Sequence, residues 1–453
     1  MDMRRRKLLA VLAVVLVLWF LPIPEGLTPA AWHIFAIFAA TILGFILQPI
    51  AIGAMGFIGV TVAALTGTIS ISDAISGYGN STIWLIICAF LLSRGFIKSG
   101  LGRRIAFLII QKIGRSSLTL GYAITASDFI ISPATPSSTA RAGGIVFPII
   151  KSLSSALSSE PGATARKLQI EYQANAITCA MFMTAMAGNP LSVELAAKAT
   201  ETQITWSGWA LAAIVPGLIS LIVMPYLLYK LFPPEIEEMP LAKQMATDEL
   251  TKMGAMSVVE KIVAVVFCGA LVLWATSEIH HIGATTVGML AVVVMILTDV
   301  LTWDDVLNEK GAWNTMFWMG SLIALASALS KSGFIKYVAE GAGRMIESAG
   351  ISWTLAFVLL ILIYVYSHYG FASVSAHIGA MYAAFLTVAI AFAAMSNIMI
   401  PLTHYGGGAA PILYGAGYVS QNDWWRLGFI ITTVNVAIWL ILGGAWWKVI
   451  GLW

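Results

Sequence analysis

Apolar runs of about 20 residues, the length that crosses a bilayer, follow one another along the chain with short polar or basic stretches between them. The first lies near Leu8 to Leu21, the second near Ala30 to Ile50, the third near Ala54 to Thr66 and the fourth near Thr82 to Ile97. A basic cluster follows: Arg94, Lys98, Arg103, Arg104, Lys112 and Arg115. From Ile105 to Ile150 the pattern is too broken for two clean spans. It predicts an interfacial helix and then a re-entrant helical hairpin with its tip at Pro136 to Thr139. A span near Ile170 to Ala199, interrupted at Thr184 to Pro190, and another near Trp209 to Leu231 complete the first half. After one long polar segment, Pro233 to Ser257, the pattern returns. It ends in a span near Tyr382 to Tyr414, broken at Pro401 to Gly408, and a last one near Leu427 to Val449. The expectation is an all-α polytopic membrane protein of about 11 transmembrane helices, with two re-entrant hairpins and two broken helices.

The second hairpin is expected at Ser367 to Ala380, about 236 residues after the first. The tips align on a short core, Ser137-Ser138-Thr139-Ala140-Arg141 against Ser373-Val374-Ser375-Ala376-His377. Lipid cannot satisfy the backbone groups freed by Pro133, Pro136, Gly143 and Gly144, so such a run must be buried in protein or line a wet cavity. Other echoes keep the same order. Ile52-Gly53-Ala54 returns as Ile282-Gly283-Ala284, Asn80 with Trp84 as Asn314 with Trp318, and Lys98-Ser99-Gly100 as Lys331-Ser332-Gly333. An odd number of spans in the first unit makes this an inverted-topology repeat. The domains read as 1-28, a span outside the repeat; 29-233, the first repeat; 234-257, a cytoplasmic linker; and 258-453, the second repeat.

Composition agrees with the pattern. Of 453 residues, 59% are apolar and 10% charged, against roughly 25% charged in soluble proteins. A net charge of +3 gives no reason to expect nucleic acid. Cys88, Cys179 and Cys268 sit in apolar runs without metal-ligand spacing, so neither a disulfide nor a metal is expected. Arg4, Arg5, Arg6 and Lys7 precede the first span, which has no small-residue cleavage pattern. It reads as uncleaved, with the N-terminus cytoplasmic and the C-terminus external, in a cell (inner or plasma) membrane. No span carries a metalloprotease, serine-hydrolase or nucleotide-binding motif, so the chain is not expected to be an enzyme or to hold a cofactor.

The candidate site residues come from the interruptions. Ser137, Ser138, Thr139, Ser373, Val374 and Ser375 form the tips; Asn189, Thr403 and His404 lie in the broken spans. Hydroxyls at helix starts serve as caps. The same helix starts present free N–H groups and a positive dipole end, which suit a carboxylate. Two such tips facing each other would hold a molecule with a carboxylate at each end. Arg141 and His377 occupy equivalent places after the tips. A cation in the membrane interior is expensive and marks a pathway or a partner. The plain alternatives are an ion pair of Arg141 with Asp128 or Glu194, and a neutral His377 satisfied by a backbone carbonyl. His33, His280 and His281 take no role.

These tips, together with Leu402-Thr403-His404-Tyr405-Gly406 and Tyr414-Gly415-Ala416-Gly417-Tyr418, resemble the divalent anion/sodium symporter family. The likeness is greatest to its di- and tricarboxylate exchangers, of the 2-oxoglutarate/malate and citrate/succinate kinds. The resemblance implies a homodimer in the lipid bilayer, scaffold and transport domains interleaved across both repeats, and elevator-type alternating access. Family tips usually read Ser-Asn-Thr and help frame sodium sites; here Ser138 and Val374 replace the asparagine. The expected function is therefore sodium-independent exchange of dicarboxylates (2-oxoglutarate, malate or succinate type) or tricarboxylates. A sodium-coupled symporter and an anion channel are the alternatives.

Overall fold

The computed structural model of the protein describes residues 2–156, 161–200, 203–233, 240–348, 350–371, 373–382 and 389–452. Among them every regular element is helical. Among the described residues six helical stretches are long and apolar enough to cross a membrane: Pro29–Leu47, Ile71–Ser99, Trp206–Leu231, Val258–Ala275, Lys310–Lys331 and Gln421–Val449. Polar side chains begin many of the chain's helices. Thr28, Ser70, Ser116, Thr205, Ser257, Thr302, Ser352 and Ser420 each accept a hydrogen bond from a first-turn N–H, satisfying a donor that the helix itself cannot pair.

The chain divides into two compact units, each drawing on both halves of the sequence. The first comprises Met1–Ile87, Pro190–Ile204 and Lys310–Ala393, the second Cys88–Asn189, Thr205–Glu309 and Ala394–Trp453. In the first unit, Ile52–Leu65 lies along Lys310–Lys331. Gly56 allows the contact, because a Cβ there would press on Ser321 and the Trp318 backbone. Ile34, Ile37, Val60, Ala63, Leu325 and Leu329 form the neighbouring apolar core. Glu194 accepts from Asn80 (2.9 Å) and Thr82 (3.2 Å) and pairs with Lys198 (3.3 Å), so it is engaged within this unit.

In the second unit, the amphipathic helix Leu101–Ile113 carries the linker helix Pro240–Met253 on one side, with Ala242 and Ala246 buried. The linker is thus a docked element in its described part; residues 234–239 lie outside the described residues. Where it ends, Arg104 grips Glu260 with two hydrogen bonds, 2.6 and 3.1 Å, and donates to the Gly254 carbonyl at 2.9 Å. Trp424 is buried against Tyr172 and Tyr414.

One device appears once in each unit. Ile52–Leu65 ends in a turn whose Thr68 and Ile69 N–H groups both reach the Ala63 carbonyl; Ala284–Leu297 ends with Val300 and Leu301 reaching Met295 in the same way. Ser70 and then Thr302 cap the helical turn that follows, each with an aspartate three residues on. Those aspartates meet the lysines that echo each other in sequence, Asp73 with Lys331 at 2.8 Å and Asp305 with Lys98 at 2.6 Å. The Lys98 hydrogen bond and the Thr302 backbone hold the Asp305 carboxyl well below the usual carboxylate range.

Candidate carboxylate site around the first tip

Helix Ser117–Ile131 passes through a short turn, Ser132–Ala134, and the chain then leaves helical geometry at Thr135 to Ser137 before resuming at Ser138–Arg141. The break falls where the sequence places the tip. Ser137 accepts from the Ala140 N–H at 3.1 Å, so its hydroxyl is an N-cap. Residues Ser137 to Ala140 are half-buried within surroundings that are otherwise buried, which leaves the Ser138 and Thr139 hydroxyls and the first-turn N–H groups as the accessible polar edge.

Behind that edge Arg141 is fully buried. Its Nε donates to Asp128 at 2.6 Å, one terminal nitrogen reaches the Thr135 and Ala185 carbonyls at 2.9 and 3.2 Å, and the other reaches Thr178 at 3.2 Å. Asp128 also accepts from Asn175 (3.3 Å) and from the Thr178 hydroxyl. The guanidinium therefore has a matching charge, and its remaining donors tie the tip to the first broken helix. Of the two carboxylates considered from sequence, Asp128 is the partner.

The first broken span is Pro161–Met181, a short turn at Met183–Ala185, and then Gly188–Thr200. The carbonyls freed at the break are met by side chains. Asn189 donates to Cys179 O (2.7 Å) and Phe182 O (2.9 Å), and Trp209 to Ala180 O (2.9 Å). The Ala187 N–H returns to the Pro136 carbonyl at 3.0 Å, joining break to tip. Asn189 also accepts from Asn397 at 2.7 Å. Asn397 was not among the sequence candidates; its only signal is a lone amide in an apolar run shortly before Pro401.

The second break follows Ala389–Ile398, with a turn at Ile400–Leu402 and a helix resuming at Ala410–Gly415; residues 383–388 lie outside the described residues. Tyr172 donates to the Ile400 carbonyl at 3.1 Å, and Thr432 to Ile398 at 3.3 Å. Gly428 lets its helix lie directly on the Pro401 backbone, where a Cβ would strike the carbonyl. Gly408 lies against the Thr139 hydroxyl, so first tip and second break adjoin. Thr403 is buried, and among the described residues its hydroxyl has no hydrogen-bond partner. His404 is half-buried and its Nδ1 accepts from Trp425 at 3.0 Å, which places the ring proton on Nε2 as a donor.

The second unit thus gathers Ser137, Ser138, Thr139, Arg141, Asn189, Thr403 and His404. The remaining candidates belong to the first unit. There Trp353–Tyr366 gives way to a turn at Ser367–Gly370, and Ser373 caps Val374–Met381 by accepting from the Ala376 N–H at 3.4 Å. Ser373 and Ser375 are half-buried and Val374 is buried. His377 is fully buried, hydrogen-bonds Ser367 at 2.9 Å, and is ringed by Tyr364, His368 and Phe371 at centroid distances of 4.5, 5.3 and 4.6 Å.

Comparison with known proteins follows the same lines. The family model described as the sodium:sulfate symporter transmembrane region matches residues 3–453. YflS of Bacillus subtilis (strain 168), named as an inferred malate transporter, is 49% identical over 463 residues, 98% of this chain and 96% of its own length. Dicarboxylate transporter 1 of Arabidopsis thaliana, a chloroplast protein, is 45% identical over 465 residues, 99% and 84%. Inner membrane protein YbhI of Escherichia coli (strain K12) is 37% identical over 469 residues, 99% and 98%. Among solved structures, the YdaH transporter of Alcanivorax borkumensis superposes with a TM-score of 0.57 at 11% identity, over 99% of this chain and 98% of its own, a likeness of fold. A match that runs along the whole chain of a multi-pass helical protein makes this chain a member of the sodium:sulfate symporter family, the divalent anion/sodium symporters.

Proposed function

We propose that the chain is a secondary transporter of dicarboxylates, of the 2-oxoglutarate, malate or succinate type, working by sodium-independent exchange. The observation that carries this reading is the first tip: the half-buried Ser138 and Thr139 hydroxyls and a helix start in front of a buried Arg141 whose charge Asp128 already balances. Such an edge offers donors and a favourable dipole to a carboxylate without an unmatched charge when the substrate is absent. Thr403 and His404 supply further donors beside it. In this reading Arg141 and Asn189 position the tip and the broken helix, and the Ser373 to Ser375 edge serves a second carboxylate. The Val374 side chain has no oxygen to give a sodium ion where an asparagine would have one, which favours exchange over symport. The relatives named as dicarboxylate transporters support the substrate class. The elevator movement, the homodimer and a cytoplasmic N-terminus belong to the same proposal.

The test uses purified protein in liposomes. Labelled 2-oxoglutarate should enter vesicles preloaded with malate or succinate and fail to enter empty ones, with or without a sodium gradient. Strong uptake into empty vesicles under a sodium gradient would establish symport instead.

A further inference from the structure

On the helix Pro161–Met181, Lys167, Glu171, Asn175 and Thr178 recur at spacings that keep them on one face. Asn175 and Thr178 are spent on the Asp128–Arg141 pair. Glu171, one turn before Asn175, is fully buried, and among the described residues neither carboxylate oxygen has a hydrogen-bond partner. An ionised carboxylate left that way costs several kcal/mol and takes up a proton instead.

Among the described residues no cation is hydrogen-bonded or ion-paired to Glu171. Asp128 and Arg141 are the charges that act on Glu171, from the helix Ser117–Ile131 and from the tip. Arg141 already touches Asp128, so two acids would share one guanidinium. On its own helix Lys167 does not reach either oxygen, and the Cys179 thiol lies two turns on, against Arg141. Of the other helices packed against this one, Trp206–Leu231 has its single lysine, Lys230, over the Tyr226 ring, and Gln421–Ile438 pairs Asp423 with Arg426. Lys151, on Phe147–Ala156, is exposed.

We propose that Glu171 is a proton-binding site coupled to transport. With the proton bound, Arg141 belongs to Asp128 and holds the Thr135 and Ala185 carbonyls, so tip and broken helix stay joined. Loss of the proton creates a second acid competing for the same guanidinium, and the clamp on the tip loosens. The proposal goes beyond dicarboxylate exchange and adds a protonation step that neither tip contains.

Exchange should be followed in liposomes with equal pH on both sides, from acid to alkaline. Wild-type exchange should fall as Glu171 deprotonates, approaching about tenfold per pH unit once that titration is under way. Glu171→Gln, uncharged at every pH, should keep the acidic rate and lose the alkaline fall. A folded Glu171→Gln protein that keeps the whole wild-type pH dependence, or that fails at every pH, would overturn the proposal. Infrared spectra of the wild-type protein give a readout that needs neither transport nor a variant. A buried protonated carboxyl should show its carbonyl stretch at neutral pH and shift in heavy water. Absence of that band overturns the assignment even if exchange is robust, and its presence in a protein that does not exchange would count against the transport reading alone.

Discussion

The two tips share a local design and differ in what stands behind it. In each, a serine caps the helix start, and the residue four places on donates its N–H to that serine's carbonyl at 3.0 Å, Arg141 to Ser137 and His377 to Ser373. Behind the first tip the side chain at that place is a guanidinium locked to an aspartate, to the Thr135 carbonyl of the tip and to the Ala185 carbonyl at the helix break. Behind the second it is an imidazole among aromatic rings with one serine, and no acid pairs with it among the described residues. The first arrangement depends on a charge balance, whereas the second depends on packing. Equivalent sequence positions therefore carry different energetic weight.

The largest consequence is at the first tip. Asp128→Ala strands a buried guanidinium, and stability measured by denaturant unfolding in detergent should fall by about 3–5 kcal/mol. Pairing it with Arg141→Met should restore most of that loss, because the stranded charge goes too. If the double variant is no more stable than the single, the ion pair is not what holds the tip.

Next come the capping serines. Ser137→Ala and Ser373→Ala should each weaken dicarboxylate binding by about 1.5–3 kcal/mol if the hydroxyl also meets a charged substrate group. Each should cost about 1 kcal/mol of stability as a lost cap. Titration calorimetry beside thermal melts separates the two, and a stability loss with unchanged binding at either tip would reduce that tip to a helix start.

Smaller still is the effect of His377→Gln. One hydrogen bond to Ser367 is rearranged, so stability should change by about 0.5–1.5 kcal/mol, and the pH profile of exchange should stay as in wild type. A profile that moves with His377 and not with Glu171 would reverse the contrast between the tips.

The smallest effect concerns the paired lysines. Lys98→Ala should cost about 0.2–1 kcal/mol, since Asp305 is largely covered; Lys331→Ala should cost less, because both members of its pair are exposed. The Asp305 carboxyl is held low mainly by the Lys98 hydrogen bond. Its contribution is therefore complete above the ordinary aspartate range near pH ~3.9 and disappears as the pH falls towards the folded-state value. Unfolding of the wild type and of Lys98→Ala should converge in strong acid.

The backbone breaks were legible because Pro136, Pro190, Pro401 and the neighbouring glycines interrupt runs that are otherwise apolar, and the helices do stop there. The positions of Arg141 and His377 were equally plain, but their environments were not. A cation in an apolar run announces that it has a partner without naming it, and Asp128 and Glu194 were equal choices until each was seen in its own unit. Asn397 and Glu171 were not legible, because a polar residue in a buried helix looks the same in sequence whether it is paired or orphaned.

Sequence alone determined the class of solvent, the number of apolar runs and the places where the backbone must leave the helix, since these follow from local composition and from the cost of unsatisfied peptide groups in lipid. Tertiary structure decided which charges cancel. Coulomb energy in a buried site depends on distances of a few ångströms between residues far apart in the chain. Arg141 is therefore a clamp rather than a free cation, while Glu171, unpaired among the described residues, is the group proposed to take the proton.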